Sequence, residues 1–170
     1  FQLGANYLLT EVWSLDFLFG LRRTEASFSD LFGSRINQQS TGPTYTLNLG
    51  KRFDRGGGLS FQATRELAPS GNADVLDTTG VSFRLDYPFT ERWRVGFDTS
   101  GYRNRQPDGE SSLSDRKYAD AALRVTYVLR PAWTLNAGYR YRWQKREEVP
   151  GNAEANAVFL TLAWSKDWGY

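Results

Sequence analysis

Five carboxylates recur along the chain at positions that share one face of an alternating pattern: Asp16, Glu66, Asp86, Asp98 and Asp120. A pair of such acids can hydrolyse a glycosidic bond, one as general acid and the other as nucleophile or base. The same face also carries Arg22, Arg52, Arg84, Arg94, Arg124, Arg140 and Arg142. Carboxylates placed among guanidiniums read as ion-pair partners rather than as acid–base catalysts. The chain has no His, so a His-based triad or dyad cannot be completed within it. It has no Cys, which removes disulfides and thiolate–metal sites. No catalytic residue, metal or cofactor is expected, and the chain is not read as an enzyme. Seven arginines against five acids leave a basic surface. Such a surface either concentrates anionic solutes or serves as a salt-bridge network that stiffens a wall.

Three other stretches invite a chemical reading and lose it on spacing. "RGGG" (55–58) could cradle a phosphate, but no Gly-Lys-Ser/Thr and no helix follow, and a permissive hairpin turn explains it. "YRYRWQKR" (139–146) interleaves aromatic and basic residues as a nucleic-acid surface does. In a strand, however, the two classes fall on opposite faces, so no nucleic-acid partner is expected. Asp108, Glu110 and Asp115 lie in a polar connection whose spacing fits no calcium loop.

The elements that position these residues follow from a period of two, the signature of half-buried strands. Nine strands are predicted, at about residues 2–10, 13–25, 44–53, 58–67, 78–88, 92–104, 117–129, 133–145 and 156–165. Four connections are tight: "LTEVW" (9–13), "FDRGGG" (53–58), "FTERW" (89–93) and "LRPAW" (129–133). The four between them (29–43, 68–77, 104–116 and 146–155) are long and polar. One apolar face runs through every strand, for example Trp13, Leu15, Phe17, Phe19 and Leu21, or Trp133, Leu135, Tyr139, Tyr141 and Trp143. The mean hydropathy of −0.55 conceals this face, because alternate polar positions cancel it. No apolar run approaches the ~18 residues of a membrane helix.

Alternation alone does not choose between a barrel in water, with its apolar face inward, and one in a membrane, with that face on lipid. Three features favour the membrane. Aromatic residues gather at the tight-turn ends (Trp13, Phe53, Tyr87, Phe89, Trp93, Tyr127 and Trp133), where an interfacial girdle belongs. Short turns on one edge oppose long loops on the other, as in bacterial barrels. Most strands reach the 9–11 residues that a tilted crossing needs. The expectation is one domain over residues 1–170, an all-β, antiparallel up-and-down transmembrane β-barrel with its arginines toward a wet interior. Turning Arg140 or Arg142 to lipid would cost about 2–4 kcal/mol near the midplane.

Nine strands, with the first and last both running toward the short turns, imply at least one more strand upstream, since single-chain bacterial barrels have even counts. The absence of Met also implies that the sequence is not a complete translation product. The chain is therefore expected to be the C-terminal part of a larger barrel, of about 14–18 strands by comparison with porin-sized relatives. A ten-stranded barrel lacking one strand is the alternative.

"VFLTLAW" (158–164), with Val158, Leu160, Leu162 and Trp164 on one face, resembles the terminal strand read by the outer-membrane assembly machinery. Six residues follow it, in which Trp168 and Tyr170 continue an aromatic alternation. The whole chain resembles the outer-membrane β-barrels of Gram-negative bacteria. More loosely, "YPFTERWRVGF" and "YVLRPAWTLNAGYRYRW" are similar to barrels associated with exopolysaccharide export. The resemblance implies a porin-like conduit in the outer membrane, with a periplasmic C-terminus, for a hydrophilic or anionic solute such as exopolysaccharide. Its implied partners are outer-membrane lipid and lipopolysaccharide, the assembly machinery, and polysaccharide or periplasmic export proteins. The rival expectation is a structural barrel that anchors or sheathes an envelope complex without an open pore.

Overall fold

A computed structural model describes residues 1–29, 35–69, 75–105, 115–147 and 150–165. Among the described residues nine strands make one antiparallel sheet in chain order: β1 (Gln2–Leu8), β2 (Trp13–Ser29), β3 (Arg35–Arg52), β4 (Gly58–Pro69), β5 (Val75–Pro88), β6 (Trp93–Arg105), β7 (Arg116–Arg130), β8 (Trp133–Arg146) and β9 (Ala153–Trp164). No helix occurs among the described residues. Each strand pairs with the one before it, as an up-and-down sheet requires, and β1 and β9 are its two edges.

The expected strands are present, and several run further toward the long connections than the hydrophobic pattern reaches. β2 and β3 pair from Trp13↔Lys51 out to Ser29↔Arg35, so residues 35–43, expected in a loop, lie in a strand. Likewise β4 reaches Pro69 and β5 starts at Val75, within the connection expected over 68–77. A ladder is held by backbone hydrogen bonds, so it continues where neither face is apolar. Pattern reading stops where the alternation of polarity stops. Pro43 sits in this extension without breaking it. Leu21, its partner in β2, donates its N–H to Phe1 O at 2.9 Å, away from β3. The nitrogen of Pro43 therefore points away from β2, to the side where the β3–β4 ladder has already ended at Tyr45↔Arg65. Proline is tolerated in a sheet only at such an unpaired position.

The tight turns repeat one device. In Thr10-Glu11-Val12-Trp13, Thr10 Oγ1 accepts the N–H of Val12 and of Trp13 at 3.4 and 3.2 Å. In Thr90-Glu91-Arg92-Trp93, Thr90 Oγ1 accepts the N–H of Arg92 and of Trp93 at 3.2 and 3.1 Å. The hydroxyl satisfies backbone donors that the reversal leaves unpaired, the usual reason for threonine in a turn. The β3–β4 turn uses glycine instead. Gly56 and Gly57 have φ of +82° and +76°, and Gly56 donates to Phe53 O at 3.0 Å. At the fourth turn the β7–β8 register shifts between Val128 and Arg130, a bulge that leaves Leu129 unpaired at the rim.

The sheet is curved. Ser14 and Asp16 of β2 and Arg140 of β8 line one cavity of about 550 Å³ together with residues of every strand between them. In a flat sheet β2 and β8 would stand six strand spacings, or about 29 Å, apart. The curvature makes the polar face concave. Among the described residues only Leu67, Val75 and Ala122 are buried apolar side chains. Leu67 (2% exposed) and Val75 (0%) form a small cluster at the far end of the β4–β5 hairpin, where a Cβ on Gly42 of β3 would lie 2.8 Å from Leu67 Cδ1. Among the described residues no second layer covers the sheet.

Candidate functional site: a charged concave wall

Register assigns every predicted residue to a face. The pairs Asp16↔Asn48, Arg84↔Asp98, Asp98↔Ala122, Asp120↔Arg142 and Arg140↔Ala122 place these side chains on one surface of the sheet. Arg22, Arg52, Glu66, Asp86, Arg94 and Arg124 have the same parity. All twelve charged positions expected to share a face do so, and that face is the concave one.

Its charges are organised around shared acids. Asp98 of β6 takes Arg84 Nε at 2.5 Å from β5 and Arg124 Nη2 at 3.7 Å from β7. Asp120 of β7 takes Arg142 Nε at 3.2 Å and Arg140 Nε at 3.7 Å, both from β8. Each carboxylate is flanked by two guanidiniums and is the more enclosed group; Asp120 is 17% exposed against 44% and 53% for its arginines. Asp86 reaches Arg94 at 3.6 Å, and Glu66 reaches Arg22 at 3.3 Å across the intervening β3. Asp16 departs from the expected pattern, because its partner is the side-chain amide of Asn6 on β1 rather than an arginine. Arg52 donates to Glu11 O at 3.4 Å. These contacts bring the five acids into polar pairings, none of them an isolated carboxylate dyad of the kind glycoside hydrolysis uses.

Neutral polar groups stand among these charges. Thr126 Oγ1 and Asn136 Oδ1 are 2.7 Å apart, and Thr78 Oγ1 and Asn104 Oδ1 are 3.1 Å apart. Tyr102 and Tyr118 stack with ring centroids 5.0 Å apart, two register steps from Asp120 on the same face. On β8 the concave face includes Gly138, and the ring of Phe159 from β9 lies where a Cβ there would have to be. An aromatic ring covering a strand glycine in this way compensates for its missing side chain.

The convex face is apolar and uncovered. Val158 and Leu160 are 83% and 72% exposed, and Leu3, Phe17, Phe19, Leu21, Leu123 and Tyr139 are exposed with them. The expected aromatic row lies at the tight-turn end. Phe53 meets Tyr87 edge-on at 5.4 Å, Tyr87 meets Phe89 at 5.1 Å, and Trp93 lies 4.4 Å from Tyr127. Lys51 Nζ bridges Trp13 and Phe53 at 4.9 and 5.7 Å from their ring centroids. Trp133 is 6.4 Å from Trp164, so the terminal-strand residues Val158, Leu160, Leu162 and Trp164 continue the same face and end in the same row.

At the opposite end the convex face turns ionic, which the sequence reading did not single out. Arg23 pairs with Glu25 at 2.8 Å, Arg65 with Asp77 at 2.7 Å, and Lys117 with Glu147 at 3.2 Å. Arg103 approaches Asp115 at 3.7 Å. The available signal was the parity of these charges, which continues the apolar face. Thr10 and Thr90 were missed as well, although the repeated Thr-Glu-x-Trp carried the information. Asp108, Glu110, Trp168 and Tyr170 lie outside the described residues. No protein-family model, curated protein or solved structure matches this chain.

Proposed function

We propose that this protein is a β-barrel of the bacterial outer membrane that forms a polar-lined conduit for a hydrophilic, preferentially anionic solute such as exopolysaccharide. One observation carries the membrane reading: an uncovered convex band, apolar apart from Thr99 and Asn156, bounded by aromatic rings at the turn end and by ion pairs at the other. On β8 the band spans Trp133 to Trp143, about 33 Å of strand, or about 23 Å in height at the ~45° tilt usual for such strands. The apolar band of an outer-membrane barrel is about 25 Å tall. A water-exposed domain of this size would instead bury about 70% of its surface around a core, and no such core exists among the described residues.

In hydrocarbon the outer edges of β1 and β9 need partners, because unpaired N–H and C=O groups each cost several kcal/mol there. Additional strands, or further copies of the chain, would complete the ring in this reading. Trp13, Phe53, Tyr87, Phe89, Trp93, Tyr127 and Trp133 then sit at the periplasmic headgroup level, and β9 is the strand that the assembly machinery reads. The surplus of arginine on the concave wall supports anion preference. A structural barrel without an open pore is the second reading, favoured by the Arg–Asp–Arg clusters that tie β5 to β8.

Conductance in a planar bilayer decides between them, since a conduit passes ions and a filled barrel does not. The double variant Arg140→Glu/Arg142→Glu is expected to reverse the ion preference. Unchanged selectivity would remove these residues from the pore wall. The mass of the mature protein in outer-membrane fractions tests the ring: a value well above 19.4 kDa supports added strands, and one near it supports several copies.

A further inference from the structure

The turn end of the concave wall holds a larger cavity, of about 980 Å³. Four guanidiniums line it: Arg55 from the β3–β4 turn, Arg92 from the β5–β6 turn, Arg94 at the start of β6, and Arg124 of β7. Two carboxylates, Asp86 and Glu91, face them. That leaves two guanidiniums in excess. Arg94 is 3.6 Å from Asp86, and Arg124 is 3.7 Å from Asp98, which Arg84 already holds at 2.5 Å. The side chains of Arg55 and Arg92 make no ion pair among the described residues. Gly96, between Arg94 and Asp98 on the same face, leaves the wall without a side chain beside Arg124. Thr90, Thr126, Thr134 and Asn136 add hydroxyl and amide groups, beside the apolar Pro88, Phe89, Trp93 and Val128.

We propose that this cavity is a binding site for an anion bearing two or more carboxylate or phosphate groups, received from the tight-turn side of the sheet. The inference rests on the conduit reading and gives it a capture site at one mouth. Guanidiniums that lack carboxylate partners attract one another's counter-ions, and a concave low-dielectric wall focuses their field. Their planar forks match carboxylate and phosphate oxygens two at a time. Arg55 and Arg92 project from turn tips while Arg94 and Arg124 stand on the wall behind them. A polyanion can therefore engage the tips first and the wall second, whereas a single acetate-sized ion would leave most of the cations unmatched. Neutral hydroxyls between the arginines suit the intervening parts of such a chain.

The test uses the protein purified from its membrane and placed in a planar bilayer. Tripolyphosphate and tri-galacturonate are added to one chamber at a time. Current block is expected from the turn side only, weakened at least tenfold in Arg55→Gln/Arg92→Gln and retained in Arg23→Gln at the opposite end. Circular dichroism confirms that each variant keeps its sheet. Stronger block by the uronate identifies a carboxylated saccharide as the ligand chemistry, and stronger block by tripolyphosphate identifies phosphate. Conductance without sided block, or with block unchanged in the double variant, overturns the site and spares the conduit. If the protein does not conduct, calorimetric titration with tripolyphosphate takes over. Binding lost in the double variant then upholds the site while the conduit fails, and no binding overturns both.

Discussion

The concave wall is built differently in its two halves. Across β5 to β8 it carries Arg84, Asp86, Arg94, Asp98, Asp120, Arg124, Arg140 and Arg142, joined strand to strand through shared carboxylates. Across β1 to β4 the same face carries mostly small and neutral groups such as Ser14, Asn48, Gly50, Ser60 and Gln62. Its acid at mid-wall, Asp16, takes an amide. Both halves have the same ladder and the same convex face. The difference shows that the backbone and the apolar pattern suffice to specify a strand, and that wall charge is an added property. A carboxylate shared by two arginines ties three side chains on neighbouring strands into one unit, so the β5–β8 half should be stiffer and more sensitive to single losses.

Variants matched across the halves can break that comparison, with urea unfolding in lipid vesicles as the readout. The largest effect is expected at the β8–β9 step. Gly138→Val puts a branched side chain where the ring of Phe159 lies, an overpacking that should cost about 1–3 kcal/mol. Gly50→Val in β3 meets only the Ser14 hydroxyl, at 2.9 Å from its Cβ, and should cost less than about 1 kcal/mol. Equal losses would mean that glycine matters for strand geometry alone.

Next comes the charge comparison. Asp120→Asn leaves Arg140 and Arg142 without their carboxylate. Discounted for the half-exposed arginines, the loss should be about 1–2 kcal/mol. Asp16→Asn replaces one amide partnership by another and should cost less than about 0.5 kcal/mol. If Asp16→Asn proves as damaging as Asp120→Asn, the two halves do not differ in the way described. The smallest effects belong to the turns, which are built alike on both sides. Thr10→Ala and Thr90→Ala should each lose about 0.5–1 kcal/mol, and a marked inequality between them would show that the halves differ in their hairpins too.

Much of this molecule is legible in its sequence because the information is periodic. Trp13 to Leu21 and Trp133 to Trp143 announce a strand and an outer face by alternation alone. The same parity assigns Asp98, Asp120, Arg124 and Arg140 to the other surface, where register places them. The partners were not legible. Nothing in the local pattern tells Asp98 to choose Arg84 and Arg124, or Asp16 to choose Asn6, because those choices depend on cross-strand register and curvature. The outer reaches of β2 and β3 were missed for a related reason: their ladder needs no apolar side chain. Arg55 and Arg92 looked like ordinary turn residues, and only curvature brings them to one cavity with Arg94 and Arg124.

Phe159 resting on Gly138 also gives the molecule an internal reporter. A benzene ring shields nuclei held against its face, so the α-protons of Gly138 should resonate upfield of their random-coil position once β8 and β9 have zipped together. The shift would vanish in Phe159→Leu, which retains bulk and loses the ring current. Followed by NMR during insertion into lipid, that one glycine signal would time the joining of the last strand separately from the rest of the sheet.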